Sequence, residues 1–126
     1  MWLFTPFGFF SVVAHRHEPE MLLVRSRARA DLGSLLAELE GDDAHVPIQR
    51  TPDADYPYRV TLRRETVVEL MTRFVMTGLD YPNFKNAVAD RQGYERASTY
   101  HDVWEVVTRT EDREARQSRR PAARPR

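Results

Sequence analysis

Cysteine is absent from the 126 residues, which excludes disulfides, thiolate zinc sites and cysteine nucleophiles. Lysine is nearly absent: Lys85 stands alone in a chain rich in arginine. That bias follows as simply from a GC-rich coding sequence as from a need for planar guanidinium groups. Long apolar runs are missing too. Met1–Phe4 and Phe9–Ala14 fall far short of the roughly 20 residues that span a bilayer. The N-terminus has neither the basic start nor the small-residue cleavage site of a signal peptide. A cytoplasmic protein without membrane contact is therefore expected. No strand–Gly-x-Ser-x-Gly–helix segment and no phosphate-cradling glycine loop occurs, so neither an activated serine nor a cofactor is expected.

What is present suits one domain with an ordinary core, at 41% hydrophobic and 30% charged residues. The net charge of zero hides an asymmetry. Residues 1–108 hold 12 basic and 16 acidic side chains, a balance of −4, whereas 109–126 hold 7 and 3, a balance of +4. The expected organisation is a single α+β domain over 1–108 and a disordered basic tail over 109–126, because the tail has no aromatic or large aliphatic residue.

Hydrophobic periods alternate along the body. Aromatic and β-branched residues from Trp2 to Val13 suit a pleated surface. Pro6 and Gly8 mark either a hairpin between Trp2–Phe4 and Phe9–Arg16 or a bend within one strand. After the Pro19 turn, Met21–Arg27 reads as the next strand. Leu32, Leu35, Leu36 and Leu39 share one helical face, with Asp31 placed to cap the helix and Gly41 to end it. His45–Arg50 and Tyr58–Leu62 are further strands, Pro47 confining the former to an edge. A second helix is expected over Glu65–Thr77, a short one from Asn83 through Val88, and a last one over Ser98–Thr108.

This order implies a four-stranded, antiparallel-type sheet of ferredoxin-like form, circularly permuted (ββαββα), with further C-terminal helices. The Met21–Arg27 and Tyr58–Leu62 strands then lie side by side. Strand parity sends Phe10, Val12, Leu22, Val24, Val46, Ile48, Tyr58, Val60 and Leu62 towards the helices. Phe9, Ser11, Val13, His15, Leu23, Gln49, Thr61 and Arg63 fall on the other face, where Arg25, Arg27 and Arg59 cluster. A one-residue slip would reverse the assignment.

The arginine cluster is the first candidate site, able to hold phosphates or stack on bases. The alternative is a solvated face, or one neutralised by acids such as Glu105, and the acidic body speaks against a dedicated nucleic-acid binder. Asp80, Tyr81, Asn83 and Lys85 form a second, in a loop that combines acid, amide, ammonium and aromatic rings. The same residues read equally well as a structural loop in which Asn83 caps a helix. His15 and His17 resemble two metal ligands but lack a third. Asp53 and Asp55 read as turn residues rather than a cation loop. Tyr100, His101 and Asp102 are adjacent on a helix and diverge. The apolar stripe Tyr100, Val103, Trp104 and Val107 serves either the core or a protein partner, including a second copy.

The segments Trp2-Leu-Phe-Thr, Gly8-Phe-Phe-Ser11, Asp80-Tyr-Pro-Asn-Phe-Lys85 and Tyr100-His with Val103-Trp104 resemble those of a family of small uncharacterised bacterial proteins. The resemblance covers residues 1 to about 108 and implies no activity, cofactor or site residue. The leading expectation is thus a non-enzymatic binding or regulatory module. Nucleic-acid binding through the arginines and a small metal-assisted hydrolase or nuclease centred on His15 and His17 are the alternatives.

Overall fold

A computed structural model describes residues 1–118 of the chain. Its strands are β1 (Trp2–Thr5), β2 (Gly8–Ala14), β3 (Met21–Ser26), β4 (Gln49–Arg50) and β5 (Tyr58–Arg63). They form one antiparallel sheet in the order β1-β2-β3-β5-β4. The helices are α1 (Arg29–Leu36), α2 (Arg64–Arg73), α3 (Phe84–Gln92) and α4 (Tyr94–Ser118). The α+β sheet is as expected, with one strand more. Pro6 and Gly8 make a tight hairpin, so Trp2–Thr5 is a strand of its own, and the Thr5 hydroxyl closes the turn on the Gly8 carbonyl at 2.8 Å.

The central adjacency follows the hydrophobic pattern. β3 pairs with β5, setting Val24 beside Val60 and Leu22 beside Leu62. These residues, with Phe10 and Val12, bury against Leu32, Leu35 and Leu36 of α1 and Val67 and Leu70 of α2. Each fully buried Leu, Val or Phe side chain contributes about 1.5–3 kcal/mol of transfer free energy, so this layer dominates the fold. Val46, Ile48 and Tyr58 pack at its margin on the expected face.

Four boundaries depart from the pattern. The strand expected over His45–Arg50 shrinks to Gln49–Arg50, because a 3₁₀ turn occupies Gly41–His45 and Pro47 has no amide to donate. Helix α1 stops at Leu36, and Gly41, with φ of 66°, opens that 3₁₀ turn instead of ending the helix. Helix α2 ends in a π turn over Phe74–Gly78. Helix α4 continues past Thr108 to Ser118, and Glu105 pairs with Arg109 one turn later along its surface. The tail expected to be disordered over 109–126 is thus helical over 109–118, and 119–126 lie outside the described residues. No described helix is long and apolar enough to cross a membrane.

Asp31 is the largest departure. It is not the helix cap, since Ala28 occupies that position and caps with no side-chain bond. Its carboxylate is 5% exposed and accepts from the Phe9 amide at 3.0 Å and from Arg96 of α4 at 2.8 and 3.1 Å. Gly8 is needed for this approach: a Cβ there would stand 2.8 Å from Asp31 Cβ and 2.7 Å from the Phe10 ring.

Two outcomes follow. Gly8→Ala should cost about 1–3 kcal/mol through overpacking, seen as a lower thermal midpoint with unchanged far-UV circular dichroism. Undiminished stability would contradict the close approach. On the opposite side, Asp43 accepts from Thr66 at 2.6 Å and Arg63 at 2.8 Å, and these bonds hold its carboxyl below the usual range. A depressed folded value means stability present above the unfolded pKa of about 3.9 and lost as pH falls through the folded one. The stability difference between the parent and Asp43→Ala should therefore be full at neutral pH and shrink below about pH 4. A difference that grows on acidification would contradict it.

Candidate functional site

The face turned away from α1 and α2 carries one row of side chains across all five strands. Trp2 pairs with Ser11, Ser11 with Arg25, Arg25 with Arg59, and Arg59 with Gln49. Partners in an antiparallel pair share a face, so Trp2, Ser11, Arg25, Arg59 and Gln49 all project to one side. Two guanidinium stems therefore stand directly opposite each other at the middle of the sheet, an arrangement that repels.

Little offsets the repulsion. Arg25 donates to the Ser11 hydroxyl at 2.8 Å, and Arg59 donates to the Tyr56 carbonyl at 3.2 Å. The Nε atoms of both arginines are buried and have no hydrogen-bond partner. The buried Tyr56 ring packs against the cluster, with the Arg25 and Arg27 guanidinium carbons 4.8 and 5.3 Å from its centroid. Among the described residues, no carboxylate lies within ion-pair distance of Arg25, Arg27 or Arg59. Glu105, a conceivable counter-charge, pairs with His101 and Arg109 instead. A guanidinium offers five N–H donors, and most of those on Arg25 and Arg59 make no hydrogen bond within the protein.

The α3–α4 hairpin stands at the β1–β2 end of this same face. Phe4 and Phe9 stack at 4.5 Å, Tyr100 meets Phe4 edge-on at 5.3 Å, and Phe84 stacks on Tyr100 at 5.7 Å. Val88 and Ala97 complete a second, smaller core. The last helix thus covers one end of the open face, and beyond it Arg25 and Arg59 are half-buried while Arg27 is exposed. Burial pushes the Tyr100 phenol up, against the lowering effect of Arg96, which keeps it neutral at physiological pH.

The hairpin also gathers the two segments singled out in the sequence. Asn83 caps α3 by accepting from the Asn86 amide at 3.0 Å. Asp80 pairs with Arg91 at 3.5 Å on the surface, and Tyr81 leans on Phe84 with centroids 6.3 Å apart. Lys85 reaches α4, where its ammonium lies 3.1 Å from His101 Nδ1 and 5.6 Å from the Trp104 ring centroid. Asp80, Tyr81, Asn83 and Lys85 therefore lie apart from the arginine row, engaged within the helical hairpin. The α4 stripe divides: Tyr100 is core, Val103 is half-buried, and Trp104 and Val107 are 59% and 52% exposed.

The remaining candidates are local structure. His15 Nδ1 accepts from the amides of His17 and Glu18, which makes it the lock of the β2–β3 turn. Among the described residues no three His, Asp or Glu side chains converge as a metal site requires. Asp53 and Asp55 are exposed in the β4–β5 turn. Sequence reasoning missed Tyr56, which packs against the arginines from within a turn, and Trp2, whose place in the row appears only once β1 is a strand. Comparison with family models, curated proteins and solved structures finds no match to this chain.

The ion pair that ties α4 to the sheet is directly testable. Arg96→Ala strands the buried Asp31 charge and should cost about 3–5 kcal/mol, whereas Arg91→Ala at the exposed Asp80 pair should change stability by less than about 1 kcal/mol. Equal effects in urea denaturation would contradict the assignment.

Proposed function

We propose that this protein is a non-enzymatic binding module that takes an acidic segment of a partner protein on its open sheet face. The observation that carries this reading is the Arg25–Arg59 pair: two cationic side chains set opposite each other without a counter-charge. Bidentate guanidinium–carboxylate bonds would use the free donors and relieve the repulsion. Tyr56 and Ser11 hold the Arg25 group in place before a ligand arrives, which lowers the ordering cost of binding.

A specific observation favours a second reading. Trp2, 67% exposed at the end of the row, offers a stacking surface for a base of single-stranded nucleic acid. The acidic balance of residues 1–108 opposes both anions at long range; the acidic protein segment ranks first because three arginines match one or two carboxylates, whereas a nucleic-acid strand brings a phosphate with every nucleotide. We also read β2, β3, β5 and β4 with α1 and α2 as a circularly permuted ferredoxin-like unit, a reading supported by the strand order β2-β3-β5-β4.

Fluorescence anisotropy with a labelled Glu-rich peptide and a labelled single-stranded oligonucleotide tests the proposal. The peptide should bind, more weakly at 200 than at 50 mM salt as charge pairing requires, and at least tenfold more weakly to the Arg25→Ala/Arg27→Ala/Arg59→Ala variant. Tighter binding of the oligonucleotide would transfer the face to nucleic acid. Unchanged binding of both ligands in the triple variant would refute both. A stability measurement gives an independent check: Arg59→Thr removes the repulsion and should stabilise the fold by about 0.2–1 kcal/mol while weakening binding.

A further inference from the structure

The sheet has an unguarded margin at β1. Met1 and Val12 exchange both main-chain hydrogen bonds at 2.8 Å. Bonded and non-bonded pairs alternate along an antiparallel ladder, so Leu3 bonds inward to Phe10 while Trp2 and Phe4 turn their N–H and C=O groups outward. Among the described residues no hydrogen bond reaches those outward groups. Edge strands are normally blunted by charge, proline or a bulge, and Trp2-Leu3-Phe4-Thr5 contains none of these.

An apolar cavity of about 180 Å³ lies along this margin. Successive strand residues point to opposite faces, so a cavity touching Leu3, Phe4 and Thr5 together must abut the edge itself. Its far wall comes from Phe74 and Val75 of the π turn and from Leu79, and no charged side chain lines it. Val75, Met76 and Leu79 there are 63%, 76% and 60% exposed, as is Met1 at 62% on the strand side.

We infer that a second copy of this chain occupies the margin, joining the two β1 edges antiparallel about a two-fold axis at Leu3. The outward groups at Trp2 and Phe4 are spaced symmetrically about Leu3. Trp2 of one copy then meets Phe4 of the other, and each such pair exchanges main-chain hydrogen bonds. Leu3 faces Leu3 across the axis. By strand parity, Met1 and Leu3 of the incoming copy fall on the side of the cavity and fill it. The charge pattern selects this occupant: near a two-fold axis every charge meets its own copy, the side chains lining this patch carry none, and the Met1 ammonium is turned inward onto the Val12 carbonyl. The result is a continuous sheet with the arginine rows of both copies on one face.

The absence of cysteine makes the register testable. A single Leu3→Cys can cross-link only to its counterpart in another copy, and the roughly 4.5 Å Cα separation of a non-bonded antiparallel pair suits a disulfide. Oxidation should yield a covalent dimer far faster than it does for exposed His17→Cys. Trp2→Pro removes an outward amide that serves no internal bond and should weaken dimerisation at least tenfold in sedimentation velocity, with the far-UV spectrum unchanged. A parent protein that stays monomeric at the highest accessible concentration would overturn the inference. So would a Trp2→Pro variant that remains fully dimeric, or Leu3→Cys that links no faster than His17→Cys.

Discussion

The buried carboxylate of Asp31 is the interaction on which the rest of the molecule depends. It accepts from the Phe9 amide near the start of β2, lies within reach of the Ser26 hydroxyl where β3 ends, and clamps Arg96 of α4. A carboxylate 5% exposed is stable as an ion only when its lone pairs are occupied, and here the amide and guanidinium donors occupy them. The Asp31 hydrogen bonds raise the Arg96 guanidinium above its already high ordinary value, against the lowering effect of burial. One side chain thereby decides where α4 sits, and α4 decides how much of the second sheet face is covered.

From this placement follows the division of the open face. Tyr100 and Phe84 lie over Phe4 and Phe9 at one end, while the half-buried Arg25–Arg59 pair lies beyond them against Tyr56. A sheet face left open for stability alone would carry neutral β-branched residues or opposite charges across the strands. This one carries like charges and buried Nε groups without partners. Stability given up at a particular place is a common mark of a site kept for binding.

Much of the fold was legible in the sequence because apolar burial, the force that dominates it, leaves a local and periodic pattern. Alternation in Met21–Arg27 and Tyr58–Leu62 placed Val24, Val60 and Leu62 inward and Arg25 and Arg59 outward, and a first helix crossing over the sheet sets the two strands side by side. Asn83 could be read as a cap because capping is a local bond. What escaped was non-local. The Asp31–Arg96 pair joins residues 65 apart, and an acid near a helix start looks the same whether it caps or reaches across the core. Gly8 was visible as a turn residue, but its need to admit the Asp31 side chain was not. The length of α4 was missed because its extension is carried by surface ion pairs and the lack of Gly or Pro, with no apolar stripe to mark it.

Arginine side-chain NMR on uniformly ¹⁵N-labelled protein tests the central claim most directly, by following each Nε–H during titration with an acidic peptide. The account predicts that the Arg25, Arg27 and Arg59 signals shift together and saturate while that of Arg96, locked to Asp31, stays fixed. Shifts confined to the α3–α4 hairpin, or Arg25 and Arg59 signals indifferent to the peptide, would contradict it.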